Sequence, residues 1–163
     1  MAAALLIYVI IERLLELVIA RRNTYRLMAR GAVETGAAHY PVMIALHVTW
    51  LVAIATWVAM TRPEASPPLL MAYLVLQVFR IWVMLSLGPY WTTRIISVPG
   101  EPLVKSGPYK FLRHPNYVVV VLEITLLPLA FGAWQIAVIY SLLNAAMLWV
   151  RIGAEENALS VRR

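Results

Sequence analysis

Two short islands of polar residues carry most of the side chains in this sequence that can do chemistry. The first is Arg113-His114-Pro115-Asn116-Tyr117, and the second is Arg151-Ile152-Gly153-Ala154-Glu155-Glu156-Asn157. In a helix, Arg151 and Glu155 lie one turn apart and share a face. Pro115 suits the first turn of a helix, where no backbone donor is lost. That places His114 at the cap end, beside exposed amides that favour negative groups. The chemistry open to such a set is charge recognition: an arginine for an anionic oxygen, a carboxylate for a cation, and a helix start for an anion.

The stretch between the islands must bring them together. Residues 117–150 carry one charge, Glu123, and are broken by Pro128 and Gly132. The run is too long for one membrane pass and reads as two short helices joined near 131–134. Each arm of about 16 residues would be roughly 24 Å long, enough for a thinned bilayer or a re-entrant hairpin. Both ends of the hairpin then return to the same side, where the islands can meet.

The rest of the chain sets this hairpin in a membrane. Of the 163 residues, 62% are hydrophobic and 13% charged, and the mean hydropathy is +0.76. A soluble single domain of this size cannot hide so much apolar surface. The net charge is +6 and every acid is Glu. The cations are few and separated by long apolar runs, so anionic lipid headgroups are the expected partner rather than nucleic acid. The absence of Cys excludes disulfides, Cys-ligated zinc and a thiol nucleophile. The first residues lack a basic start and hold charges within their apolar stretch, which reads as a retained helix rather than a cleaved signal.

Residues 2–20, 41–60 and 68–87 read as three spans preceding the hairpin. The expectation is therefore an all-α membrane bundle of about five helices in one domain, 1–163. Glu12, Arg13 and Glu16 interrupt the first span and Arg80 the third; pairing with one another or with Glu123 across the bundle is the expected outcome. Basic residues cluster after the first span (Arg21, Arg22, Arg26, Arg30), after the third (Arg94, Lys105, Lys110, Arg113) and after the last (Arg151, Arg162, Arg163). With five spans all three clusters share one side, expected to be cytoplasmic, with the N-terminus outside. Residues 88–116, with five prolines and three glycines, are too polar for lipid and read as a folded cap on that side. His39 and His47 have too few companions to bind a metal and read as packing residues. The six tryptophans read mostly as an interfacial belt.

Three motifs resemble one family. Val104-Lys105-Ser106-Gly107-Pro108-Tyr109, then Arg113-His114-Pro115-Asn116-Tyr117, then Arg151 with Glu155-Glu156-Asn157-Ala158-Leu159 are similar in order and spacing to the isoprenylcysteine carboxyl methyltransferase family. The resemblance covers the C-terminal half from Leu87 onward, so residues 87–163 are expected to carry the cofactor site. It implies a methyltransferase that uses S-adenosylmethionine. By this resemblance Arg94, Glu101, Pro102, Leu103, Val104, Tyr109, His114, Pro115, Asn116, Tyr117 and Glu155 would bind the cofactor. Arg151 would face the substrate, with Arg151 and Glu155 as the catalytic pair. The family's eukaryotic members continue with an aromatic tail past the position of Leu159. The short form looks more like bacterial relatives, some associated with methylating lipophilic polyketides.

The residue chemistry suits that cofactor, which bears a sulfonium, an ammonium, a carboxylate and an adenine. Glu155 can face the cationic end, His114 and the helix amides the carboxylate, and Tyr109, Tyr117 and Leu103 the adenine. The chain has no Gly-x-Gly and no alternating strands, so the soluble methyltransferase fold is excluded. The expected acceptor is a lipophilic carboxylate or phenol that enters from the bilayer of a bacterial inner membrane. Two alternatives remain at this point: N-methylation of phospholipid amines, and a non-catalytic membrane subunit or small transporter. A transporter is expected to place its key polar groups near the midplane.

Overall fold

A computed structural model describes residues 2–160 and, up to Ala158, their side chains. Five helices dominate: α1 (Ala2–Met28), α2 (Tyr40–Thr61), α3 (Pro67–Leu87), α4 (Pro115–Ala130) and α5 (Trp134–Ser160). Their boundaries follow the local chemistry. Proline stands in the first turn of α2, α3 and α4, where a missing N–H costs nothing. Helix α4 ends just past Pro128, and Gly132 turns the chain at positive φ. The hairpin therefore forms where its sequence breaks, but only α4 is a short arm: α5 continues through the second polar island and runs for 27 residues. Helix α1 runs beyond the expected 2–20, so Arg21, Arg22 and Arg26 are helical.

Three stretches, Ala37–Thr61, Pro67–Tyr90 and Trp134–Ala158, are long and apolar enough to cross a membrane. Helix α4 is apolar but has only 16 residues, and α1 carries three charges in its first half. The bundle is inverted relative to a soluble domain: Met60 (79% exposed), Val78, Leu85, Leu142 and Trp149 (83%) point outward. So large an apolar exterior suits lipid. The core gathers Val9, Ile54, Tyr73, Ile124, Leu127 and Phe131. At the end of the bundle far from the polar islands, Trp57 donates to the Phe131 carbonyl at 2.9 Å and the Ser66 amide to the Ala130 carbonyl at 2.8 Å. These bonds lock the α4–α5 turn onto its neighbours.

The charges of α1 have partners. The Arg80 guanidinium bonds both oxygens of Glu16 and, at 2.6 Å, Glu123. Arg13 reaches Glu123 at 3.2 Å and Glu12 at 3.1 Å, and Gln77 donates to Glu123 at 2.9 Å. Three carboxylates and two guanidiniums thus knit α1, α3 and α4 at mid-bundle. This is the cross-bundle pairing expected from the sequence.

The cap is where sequence and structure differ most. Val33–Thr35 (β1) pairs antiparallel with Ile95–Ser97 (β2) in a two-stranded ribbon, in the register Val33↔Ser97 to Thr35↔Ile95. The α1–α2 connection is therefore part of the cap. Asn23 of α1 reinforces this, donating to the carbonyls of Trp91 (2.9 Å) and Gly88 (3.2 Å). Three-residue strands carry too few residues to show period-two alternation, so their sequence was silent. Of the tryptophans read as an interfacial belt, Trp82, Trp134 and Trp149 are exposed, whereas Trp50 and Trp91 are buried.

Candidate active site

Five helices and a cap leave the start of α4, the end of α5 and the 88–114 segment at one end of the bundle. Gly107 allows the cap to close there. Its φ is +54°, and a Cβ would collide with Ser86 Oγ, while the adjacent Ser106 hydroxyl donates to the Ser86 carbonyl at 3.1 Å. A side chain at 107 would therefore be strained and would have to displace the Ser86 side chain.

Under the cap lies a cavity of about 370 Å³, within the roughly 300–1,000 Å³ range of small-molecule sites. Arg94, Pro102, Leu103, Val104, Tyr109, His114, Asn116, Tyr117, Arg151 and Glu155 line it. Ten residues singled out by the sequence thus converge on one space. Glu101 and Pro115 do not line it. Glu101 turns aside, bonded by Arg30 and by the Tyr90 hydroxyl at 2.6 Å, and Pro115 is buried in the first turn of α4. Arg94 lines the wall but also forks onto Glu34 at 2.7 and 2.9 Å and lies over the Tyr40 ring. Leu159, Arg162 and Arg163 lie outside the described side chains.

Glu155 is the electrostatic hub. The Tyr117 hydroxyl donates to it at 2.5 Å, and His114 Nδ1 stands 3.6 Å away. The imidazole stacks on the Tyr117 ring, 5.3 Å between centroids at 18°. The Glu155 carboxylate holds the His114 pKa above the ordinary imidazole value, against the lowering effect of burial. Burial, then Glu155, pushes the Tyr109 phenol upward, so it is neutral. His114 does not cap α4 with its side chain. Both its ring nitrogens are buried without a hydrogen bond, as are Asn116 Oδ1 and Trp91 Nε1. Such orphaned groups are rare in folded proteins and need a partner. The cavity wall therefore offers polar atoms with unused hydrogen-bonding capacity.

The His114 pair gives a pH dependence with a definite sign. Because the folded pKa is raised, the attraction is fully present below the unfolded value of about 6.5 and is lost as pH rises through the folded value. Thermal unfolding in detergent should show the wild type losing stability relative to His114→Gln across that window. Parallel curves would refute the pairing.

Arg151 marks a second boundary. Its side chain is 6% exposed, donates to the Thr93 carbonyl at 3.1 Å and to Met43 Sδ at 2.9 Å, and leans over the Tyr117 ring. Among the described residues no carboxylate lies within ion-pair distance of it. Behind it a second, mostly apolar cavity of about 190 Å³ runs between the five helices, with Arg13, Glu16, Arg80 and Glu123 of the ion cluster in its wall. Trp91, Thr92, Asn116, Tyr117 and Arg151 line both spaces. The sequence pointed to Arg151 but not to Met43, Trp50 or Asn144 in the inner wall. For Asn144 a signal existed: it is polar, within an apolar helix, and seven residues before Arg151, hence on the same face.

An apolar exterior around the helices and a polar cavity at one end of the bundle are those of an integral membrane protein with a small-molecule site. Residues 69–161 match the isoprenylcysteine carboxyl methyltransferase (ICMT) family, and the chain belongs to that family of membrane methyltransferases, whose members generally use S-adenosylmethionine. It is 42% identical to the uncharacterized protein YpbQ of Bacillus subtilis over 95% of this chain and 94% of the relative. It is also 27% identical to an uncharacterized Haemophilus influenzae protein over 91% and 88%. No solved structure gives a significant match.

Proposed function

We propose that the chain transfers a methyl group from S-adenosylmethionine to an oxygen of a lipophilic acceptor, a carboxylate or a phenol. The observation that carries this reading is the meeting of the two cavities at Arg151 and Tyr117. The cap cavity offers what the cofactor needs. Glu155 would face its cationic end, His114 and Asn116, which have polar atoms without a hydrogen bond, its polar groups, and Tyr109 and Leu103 its adenine. When bound, the cofactor supplies an activated methyl group on a sulfonium.

The chain's own residues do the rest. Arg151, fixed by Thr93 and Met43, holds the acceptor oxygen at the junction as its anion, a carboxylate or a phenolate whose proton has passed to solvent before the site closes, and stabilises its charge until the methyl is received. The buried walls exclude water, and positioning supplies much of the rate. An unpaired guanidinium favours an oxygen anion over a phospholipid ammonium, which carries the same charge. The mid-bundle charges are taken up by one another, and the residues that resemble the family gather at one end of the bundle, which counts against a transporter, whose site belongs near the midplane. Following the positive-inside rule, the basic side, and with it the cap, would face the cytoplasm of a bacterial inner membrane.

Calorimetry in detergent with S-adenosylhomocysteine tests the reading, and folded protein that gives no binding heat would reject it. Glu155→Ala removes the hub carboxylate and leaves the Tyr117 hydroxyl without its acceptor. The expected result is affinity weakened by about tenfold or more, as for a lost charge-assisted bond. Unchanged affinity would remove Glu155 from the cofactor site.

A further inference from the structure

The inner cavity is largely apolar; the ion cluster of Arg13, Glu16, Arg80 and Glu123 borders it from α1, α3 and α4, where those charges bond one another. Asn144 of α5 is 2% exposed and lines it, and its side chain makes no hydrogen bond among the described residues. Trp50 of α2, 4% exposed, also lines it, and its indole Nε1 is a buried donor without an acceptor. Helix spacing sets the two at a similar level. Met43 and Arg151 touch at the mouth; Trp50 lies seven residues along α2 from Met43, and Asn144 seven residues back along α5 from Arg151. Seven residues of helix is about 10 Å. Unlike the charges of the cluster, these two groups on the α2 and α5 side of the cavity have no partner among the described residues, which is costly unless something polar arrives there.

We infer that Asn144 and Trp50 form a second polar recognition point, which receives an oxygen function of the acceptor about 10 Å below the one held at Arg151. The acceptor is then an amphipathic molecule with two oxygen groups separated by an apolar spacer. The space, about 190 Å³, exceeds the roughly 150 Å³ that accommodates a benzene ring. The inference rests on the methyltransferase reading for the role of Arg151, and adds the groups that select among lipophilic acceptors.

Two probes test it: para-(ω-hydroxybutyl)phenol, whose extended oxygens are about this far apart, and para-pentylphenol, which puts a methyl in place of the far hydroxyl. Affinity is read by calorimetry in lipid nanodiscs against empty nanodiscs, and methyl transfer separately with labelled S-adenosylmethionine. The wild type is expected to bind the hydroxylated probe about tenfold more tightly, the usual scale for one buried hydrogen bond made or lost. Asn144→Leu and the milder Trp50→Phe should each erase that preference and leave affinity for para-pentylphenol unchanged. Equal affinity of the wild type for both probes, no binding of either, or a preference that survives both variants overturns the inference; the two groups would then hold only water. If the preference appears and is erased by the variants, yet neither probe is methylated, the recognition point stands and oxygen methylation of phenols falls.

Discussion

An Arg80→Met variant is expected to lose about 3–5 kcal/mol of folding stability, the usual cost of removing one partner from a buried ion pair. Arg80 is 6% exposed and bonds both Glu16 and Glu123. The cluster already has three carboxylates against two guanidiniums, so losing Arg80 leaves Glu16 and Glu123 facing each other with only Arg13 between them. Methionine fills the volume and isolates the electrostatic effect from a cavity. Unfolding in detergent, followed by temperature or by denaturant, should show the loss. Adding Glu123→Gln should recover part of it, because the neighbouring pair is strongly coupled. Wild-type stability in Arg80→Met would mean that the cluster is hydrated and contributes little to holding α1, α3 and α4 together.

Arg151→Ala is expected to lower turnover by about a hundred- to a thousandfold, the range for removing a preorganised donor at a developing or transferred charge. Affinity for S-adenosylhomocysteine should change little, because the Tyr117 bond to Glu155 does not pass through Arg151. Arg151→Lys should restore only part of the rate. An ammonium keeps the charge, but it lacks the planar fork that bonds the Thr93 carbonyl and Met43 Sδ together and still faces the junction. Full activity in the alanine variant would remove Arg151 from the acceptor site. A large loss of cofactor affinity with unchanged turnover of bound complex would move it to the cofactor side.

Glu101 shows where a motif can mislead. It lies within the 87–163 region that resembles the family, beside Pro102, Leu103 and Val104, which do line the cavity. Its side chain is taken by Arg30, from the α1–α2 connection. That connection is distant in sequence and carries no motif, so the partner was invisible until β1 and β2 paired. Trp50 and Trp91 are the same kind of case. Their residue type suggests an interface anchor, but burial depends on which neighbours the fold supplies, and α5 and the cap supply them.

The sequence alone determined the environment, the helices and the identity of the polar islands. Long apolar runs must avoid water, proline and glycine must break them where they stand, and helical spacing fixes which residues share a face. These are local constraints, and α2 to α5 follow them. What only the tertiary structure decided is everything that needs two distant segments at once: the ribbon between β1 and β2, the closure over Gly107, the diversion of Glu101 and the similar level of Trp50 and Asn144. Packing and hydrogen-bond geometry between elements set these features, and no single stretch of sequence contains both partners.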